Sequence, residues 1–504
     1  MKYDPKNLLA EYMDPEDLER LVDYPSFAAL WEARSAEYAD LTAVEDNGEK
    51  YTYARLEADA AGLRTRLKEA GVNKGDRVGV FAPNSYGFVK AFIAAVTLGA
   101  TAAVLPPHLD APSVFGCTMK FGLKAIIAAP ELIDNCTLAA ERAKVCVISA
   151  EDGADTPTPV AEVKPEDGCV IMFTGGTTGK SKGALLSNRA VMQGILNSSY
   201  GCRDIFHMRY LLVLPLSHVF GLIRNLLASL NTGSTIFICR NNQDMFRDIA
   251  YFKPTILVIV PALAEMALAL SKKFRRNMLG DSLKYIICGA ASVPPYLIKE
   301  YAALGIDLYP GYGLTESSNL VSGNVSPLEK PDSVGLPYPN QELKIVDGEL
   351  LIRGDNMMDG YIGEDEAGVW EDGWFKTGDL ARIDEDGFIY ITGRKKEIIV
   401  LPTGENISPA ELEAKFNECS LVADSQVFED KNEAGRHFLA LEVVPRAAEM
   451  AKLPADDAPA ILMSELNLIN SKLPAFQRVS RIEIRDRDFE RTKSLKIVRY
   501  KKCE

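Results

Sequence analysis

The 504-residue chain has only 4 histidines, at scattered positions, and its 9 cysteines include no Cys-x-x-Cys pair. No metal cluster can be assembled from such a set, and neither a structural zinc nor a disulfide framework is expected. An odd, unpatterned cysteine count fits a reducing, cytoplasmic setting. Excess positive charge is missing as well: the net charge of −14 argues against nucleic-acid binding, which wants a basic face. Long apolar runs are absent. The longest weakly polar stretch, Ala91 to Val104, contains Gly99 and is shorter than the roughly 20 residues that span a bilayer. It reads as a buried helix running into a strand, and no transmembrane segment is expected. The opening MKYDPKNLLAEYMDPEDLERL lacks a basic segment ahead of an apolar one, so no signal peptide is expected. No fixed repeat is visible.

What remains is an ordinary globular composition, 47% hydrophobic and 25% charged, in a chain long enough for two or more domains. Through about residue 400, short apolar runs alternate with helical patterns. Val78–Ala82, Ala102–Leu105, Tyr210–Leu214, Ser234–Cys239, Ile256–Val260 and Tyr285–Cys288 read as strands. Helices fill the gaps, one of them from about Gly87 to Leu98. Near-continuous apolar strands separated by helices predict α/β-layered sheets covered on both faces. After about Asp332 the pattern changes to hairpins, with Asp347-Gly348 and Asp386-Gly387 at the turns. From Glu411 a compact α+β unit of about a hundred residues is expected. The boundary is placed in Gly393-Arg394-Lys395-Lys396-Glu397, giving a large domain over 1–395 and a small one over 396–504.

Residues 172–188, MFTGGTTGKSKGALLSN, gather small residues that can converge backbone N–H groups on phosphate. A Walker loop needs four residues between Gly and Gly-Lys-Ser/Thr; here Gly175 and Gly179 are separated by three. The apolar run Gly183–Leu186 follows, and Ser187 and Asn188 are N-cap types. The order is therefore strand, loop, strand, helix. Three further stretches are chemically suggestive. Gly311-Tyr312-Gly313-Leu314-Thr315-Glu316 offers an aromatic face for a purine and a hydroxyl and carboxylate for phosphate and Mg²⁺, or is a β-turn with a core tyrosine. In Gly373–Leu380, Asp379 is either a loop acid accepting from ribose hydroxyls or a solvated turn aspartate. The tail around Lys493–Lys496 either supplies a lysine to a transferring phosphoryl group or is a plain basic tail.

Taken together and in this order, these stretches closely resemble the adenylate-forming superfamily of acyl-CoA synthetases, adenylation domains and luciferases. The resemblance extends from Tyr51-Thr52-Tyr53 to Lys496 and includes Leu214-Pro215-Leu216-Ser217-His218, Gly289-Ala290-Ala291 and Gly404-Glu405-Asn406. It implies a large α/β domain with a small β-barrel-like subdomain, followed by a small mobile α+β domain. It also implies two half-reactions: a carboxylate attacks the α-phosphorus of ATP to give acyl-AMP and pyrophosphate, then a thiol takes the acyl group and AMP leaves. By resemblance, Thr174, Gly175, Gly176, Thr177, Thr178, Gly179 and Lys182 cradle the phosphates. Glu316 binds Mg²⁺, with Thr178 as a second metal contact, and Thr315 contacts the α-phosphate. Tyr312 stacks on adenine beside Gly289, Ala290, Ala291 and Gly311. Asp379 takes the ribose hydroxyls, Arg394 supports ribose or phosphate, Lys496 bridges the carboxylate and α-phosphate, and Lys396 is the hinge. His218, Phe220, Gly313, Gly404 and Asn406 face the acyl group or thiol. The chain departs from the family pattern at Gly175, Ser181 and Leu495. A catalytically weakened ligand-binding relative is the alternative of another class.

No acidic residue lies between Leu214 and Leu230, so an amino-acid ammonium would have no partner there. The tail and the Ile398–Asn406 loop look most like fatty or medium-chain acyl-CoA ligases, with aryl acids open. ATP, Mg²⁺ and coenzyme A are the expected cofactors. The expected partners are a small carboxylic acid and CoA, or the phosphopantetheine of an acyl carrier protein. No carrier domain is expected after Lys496.

Overall fold

The computed structural model describes residues 13–154, 156–174, 182–200, 202–364, 366, 368–400, 406–431, 437–491, 497 and 499. By packing, the chain divides into two compact units. One comprises Met1–Glu342, Arg353–Gly373 and Asp384–Ile389; the other comprises Leu343–Ile352, Trp374–Ile383 and Tyr390–Glu504.

The first unit holds two large sheets. The nine-stranded sheet has a parallel centre in the order Asp307–Tyr312, Tyr285–Cys288, Ile256–Ile259, Arg209–Leu212, Thr235–Ile238 and Thr42–Asp46. Antiparallel strands close its edges. Ile256–Ile259 and Tyr285–Cys288 are buried at every position, as strands covered on both faces must be. The seven-stranded sheet runs Gly360–Tyr361, Lys182–Ser187, Gly168–Thr174, Thr101–Val104, Arg77–Phe81, Leu123–Ala128 and Cys146–Ser149. The first three strands pair antiparallel and the rest parallel. The weakly polar stretch is, as expected, a wholly buried helix, Tyr86–Thr97, leading into Thr101–Val104. Ser187 caps the helix Asn188–Ser199 by accepting from the Ala190 N–H. Between Arg209–Leu212 and Thr235–Ile238 the expected helix opens with wide π-helical turns, Phe220–Leu227, before an α-helical turn, Ala228–Asn231. Such π-turns are rare and concentrate at functional sites.

In the second unit, Asp347 (φ 49°) and Gly348 (φ 78°) form the tight turn predicted between two strands. Its C-terminal part is a three-stranded sheet, Val422–Lys431, His437–Pro445 and Arg481–Ile484, with the helices Pro409–Asn417 and Ala458–Lys472. Leu412, Phe416, Val427, Leu441, Leu462 and Leu466 form its core. The chain is therefore mixed α/β with layered sheets and a C-terminal α/β domain. Among the described residues no helix is long and apolar enough to cross a membrane.

Candidate active site

Parallel strands bring their carboxyl ends to one edge of a sheet, and ligands of α/β folds bind there. In the nine-stranded sheet that edge collects the Leu214–His218 segment after Arg209–Leu212. It also collects Gly289-Ala290-Ala291 after Tyr285–Cys288, and Gly313–Glu316 after Asp307–Tyr312. The segments touch. A Cβ on Gly289 would sit 3.2 Å from the Gly311 carbonyl oxygen and 3.5 Å from the Phe220 ring. Ala290 holds φ at +67°, a left-handed conformation that costs a residue with a Cβ and is often kept at ligand sites. Gly313 has no alternative: a Cβ there would overlap the Asn319 carbonyl at 1.4 Å. Asn84 staples the Leu214–His218 segment, donating from Nδ2 to Leu214 O (2.8 Å) and accepting at Oδ1 from the Leu216 N–H (2.9 Å).

Thr174 and Lys182 face one another in register across the antiparallel pair that flanks residues 175–181. The Lys182 ammonium lies 4.6 Å from the centre of the Tyr361 ring. The Tyr361 hydroxyl donates to Glu316 Oε1 at 2.6 Å, and the phenol is raised above its ordinary pKa by burial and then by the Glu316 charge. Tyr361 is positioned because Gly360–Tyr361 adds a short strand beside Lys182–Ser187. The preceding residues clamp the Thr315–Ser317 turn. Asn356, wholly buried, donates to the carbonyls of Ser317 (2.8 Å) and Leu320 (3.0 Å), and the Met358 N–H donates to Glu316 O (2.8 Å). Lys182, Tyr361 and Glu316 thus form one polar line that joins the two sheets.

In the second unit, Asp379 lies within the strand Trp374–Ile383 and not on a loop, and its carboxylate is buried. The irregularity read as a loop is a bulge: pairing with Glu349–Gly354 shifts register, and Gly378 holds φ at +71°. Arg394 Nε donates to Asp379 Oδ1 at 2.7 Å. Lys395 pairs with Glu349 at 2.7 Å, and Lys396 is exposed in the short turn Lys395–Glu397.

Two family models match this arrangement: AMP-binding enzyme over residues 31–362, and AMP-binding enzyme C-terminal domain over residues 396–504. The chain belongs to the AMP-binding enzyme family. Among its relatives in the family, a feruloyl-CoA synthase of Amycolatopsis sp. is 31% identical over 402 residues, covering 76% of this chain and 81% of the relative. A 4-coumarate–CoA ligase-like protein of Arabidopsis thaliana is 32% identical over 425 residues, covering 75% and 73%. An anthranilate CoA ligase solved with anthranoyl-AMP shares the fold, with a TM-score of 0.82 at 21% identity over 95% of this chain and 96% of that one. The chain is an AMP-forming acid–CoA ligase that uses ATP.

As an AMP-binding enzyme it must also manage phosphate charge. Glu316 fits a Mg²⁺ ion: Oε1 is held by Tyr361, while Oε2 has no hydrogen-bond partner among the described residues. No group of three or more metal-ligating side chains occurs among the described residues. Mg²⁺ is commonly held by one or two carboxylates together with substrate phosphates. Of the expected residues, the structure brings together Thr174, Lys182, Gly289, Ala290, Ala291, Gly311, Tyr312, Gly313, Thr315, Glu316, His218 and Phe220 in the first unit. It pairs Asp379 with Arg394 in the second. Gly175, Gly176, Thr177, Thr178, Gly179, Ser181, Gly404, Leu495 and Lys496 lie outside the described residues, and Asn406 is described only as part of the strand pair Ile399–Val400 with Asn406–Ile407. Sequence reasoning passed over Asn84, Tyr361, Asn356 and Arg224. For Arg224 a signal was available, a lone cation in the apolar run Phe220–Leu230.

Proposed function

We propose that the acid activated by this ligase is compact, of aryl or short-chain size, and not a long fatty chain. The observation behind this reading is the small size of the cavity behind Gly311, taken as the far end of the acyl side. Behind Gly311, buried Tyr338 and Arg224 and half-buried Tyr200 and Tyr309 surround a cavity in which the centre of a water molecule can move through about 20 Å³. That is space for a small group and not for a polymethylene tail. The aromatic acids in the names of the feruloyl and 4-coumarate relatives are of this size. Those relatives give no support to the fatty-acid expectation.

Within this reading the acid's carboxylate lies near His218 and Phe220, with Tyr312 against adenine. Lys182 and Thr174 take the phosphates. Asp379 accepts from the ribose hydroxyls, with Arg394 fixing its carboxylate. Lys496 balances the charge that builds as one carboxylate oxygen bonds to the α-phosphorus and the bond to pyrophosphate breaks. Mg²⁺ bound at Glu316 would lower the repulsion between the carboxylate and the polyphosphate. Acid-dependent exchange of labelled pyrophosphate into ATP, run over hydroxycinnamates, benzoates, short acids and fatty acids and followed by CoA addition, tests the reading. Exchange with compact acids and CoA-dependent AMP release are expected. Exchange confined to long fatty acids would refute it.

A further inference from the structure

Arg224 is only 2% exposed, and its Nη1 has no hydrogen-bond partner. No carboxylate of the described residues lies within 4.0 Å of its guanidinium. The contrast within the same unit is sharp. Arg64, also fully buried, pairs with Glu57 at 2.5 Å and donates to Thr158 O (2.8 Å) and Thr97 Oγ1 (2.9 Å). Arg34 pairs with Glu37 at 2.5 Å. Arginine does not deprotonate in proteins, and a desolvated charge without a counter-ion is costly. Cys202 and Tyr210 hydrogen-bond to Arg224 but supply no counter-charge. Burial pushes the Cys202 thiol up to about 11, against the opposing pull of Arg224, and burial likewise raises the Tyr210 phenol.

The charge is also aimed at a useful place. Arg224 lines the small cavity behind Gly311, together with Tyr200, Tyr309 and Tyr338. Phe220, four residues earlier in the same helical segment, sits against Gly289. The helix therefore runs from the Phe220 contact with Gly289 to a buried cation that has no carboxylate partner among the described residues.

We propose that Arg224 binds a second, distal carboxylate of the acid, so that the substrate is a dicarboxylic acid adenylated at one end and held by the guanidinium at the other. The proposal rests on the compact-acid ligase reading and narrows it. The distal carboxylate takes no part in bond making: one oxygen of the other carboxylate bonds to the α-phosphorus, pyrophosphate leaves, and the thiol of CoA then displaces AMP. A planar fork of donors matches a carboxylate, and a site with buried polar groups discriminates strongly against analogues that leave them unpaired.

The test is pyrophosphate exchange with succinate, glutarate, adipate and the benzene-1,3- and 1,4-dicarboxylates, each beside its monoamide. For at least one diacid, kcat/KM should exceed that of its monoamide by 100-fold or more. Arg224→Leu should lower diacid kcat/KM by at least 100-fold while leaving the monoamide usable, and Arg224→Lys should retain part of the preference. The wild-type comparison needs no variant and decides alone if Arg224→Leu does not fold. Equal use of diacid and monoamide, or a folded Arg224→Leu that keeps the preference, overturns the assignment. Exchange with monocarboxylic acids alone overturns it and leaves the ligase reading standing; no exchange with any acid overturns both.

Discussion

Tyr361 and Asp379 show how single polar contacts set the site. The Tyr361 hydroxyl holds one oxygen of Glu316 at 2.6 Å, which leaves the other for a cation. Hydrogen bonds to charged groups contribute about 1.5–3 kcal/mol. Tyr361→Phe should therefore lower the exchange rate by roughly 10–100-fold and raise the Mg²⁺ concentration for half-maximal rate. A titration of rate against Mg²⁺ checks it, and an unchanged midpoint counts against Tyr361 as the positioning residue of Glu316. Asp379→Ala removes the proposed ribose acceptor and the partner of Arg394 at once. ATP binding should weaken by about 1.5–3 kcal/mol in calorimetry, and a folded variant with parental affinity would refute the ribose role.

At the scale of elements, close backbone approach holds the Thr315–Ser317 turn. The helix Asn188–Ser199 approaches the residues after that turn at Gly194, where a Cβ would stand 2.3 Å from the Ser318 carbonyl oxygen. That carbonyl belongs to backbone already at φ 50° in Ser318 and 91° in Asn319, so the loop has little freedom to retreat. Overpacking of this kind costs about 1–3 kcal/mol. Gly194→Ala should lower the melting temperature and depress exchange through a displaced Glu316, although residue 194 itself takes no part in the chemistry. A variant with reduced stability but a normal KM for ATP would show that the helix does not position the turn. In the second unit the bulge at Gly378 has a comparable role, because it interrupts a regular strand next to Asp379.

For the whole molecule, the residues proposed for the chemistry fall in both units. Glu316 and Tyr312 belong to the first, while Asp379, Arg394, Lys396 and Lys496 belong to the second. If Lys496 serves the first half-reaction alone, Lys496→Ala should abolish pyrophosphate exchange and spare thioester formation from supplied acyl-AMP. Equal loss in both assays would remove that role. Lys396, which the family resemblance implies as the hinge, is exposed in the turn Lys395–Glu397. Proline locks φ near −65° and removes the N–H, so Lys396→Pro should keep exchange while CoA thioester formation falls by orders of magnitude. Wild-type thioester rates in that variant would exclude Lys396 as the hinge.

The order and spacing of the glycine-rich, Gly-Tyr-Gly-Leu-Thr-Glu and Trp-Phe-Lys-Thr-Gly-Asp stretches were enough to identify the reaction class, because the motifs that carry the resemblance are short local segments. Parallel strands were legible too, since a strand buried on both faces leaves an uninterrupted apolar run such as Ile256–Ile259. The partners of those segments could not be read in the same way. Tyr361 reaches Glu316 across 45 residues through a two-residue edge strand with no periodicity to detect. Asp379 read as a loop residue because a bulge glycine and a turn glycine are alike in sequence. Arg224 could have been noticed as a lone cation, yet a buried charge is usually paired once the chain folds, as Arg64 is by Glu57 on the same helix. Pairing is a property of packing: only the folded chain shows which buried charge was given a counter-ion and which was not.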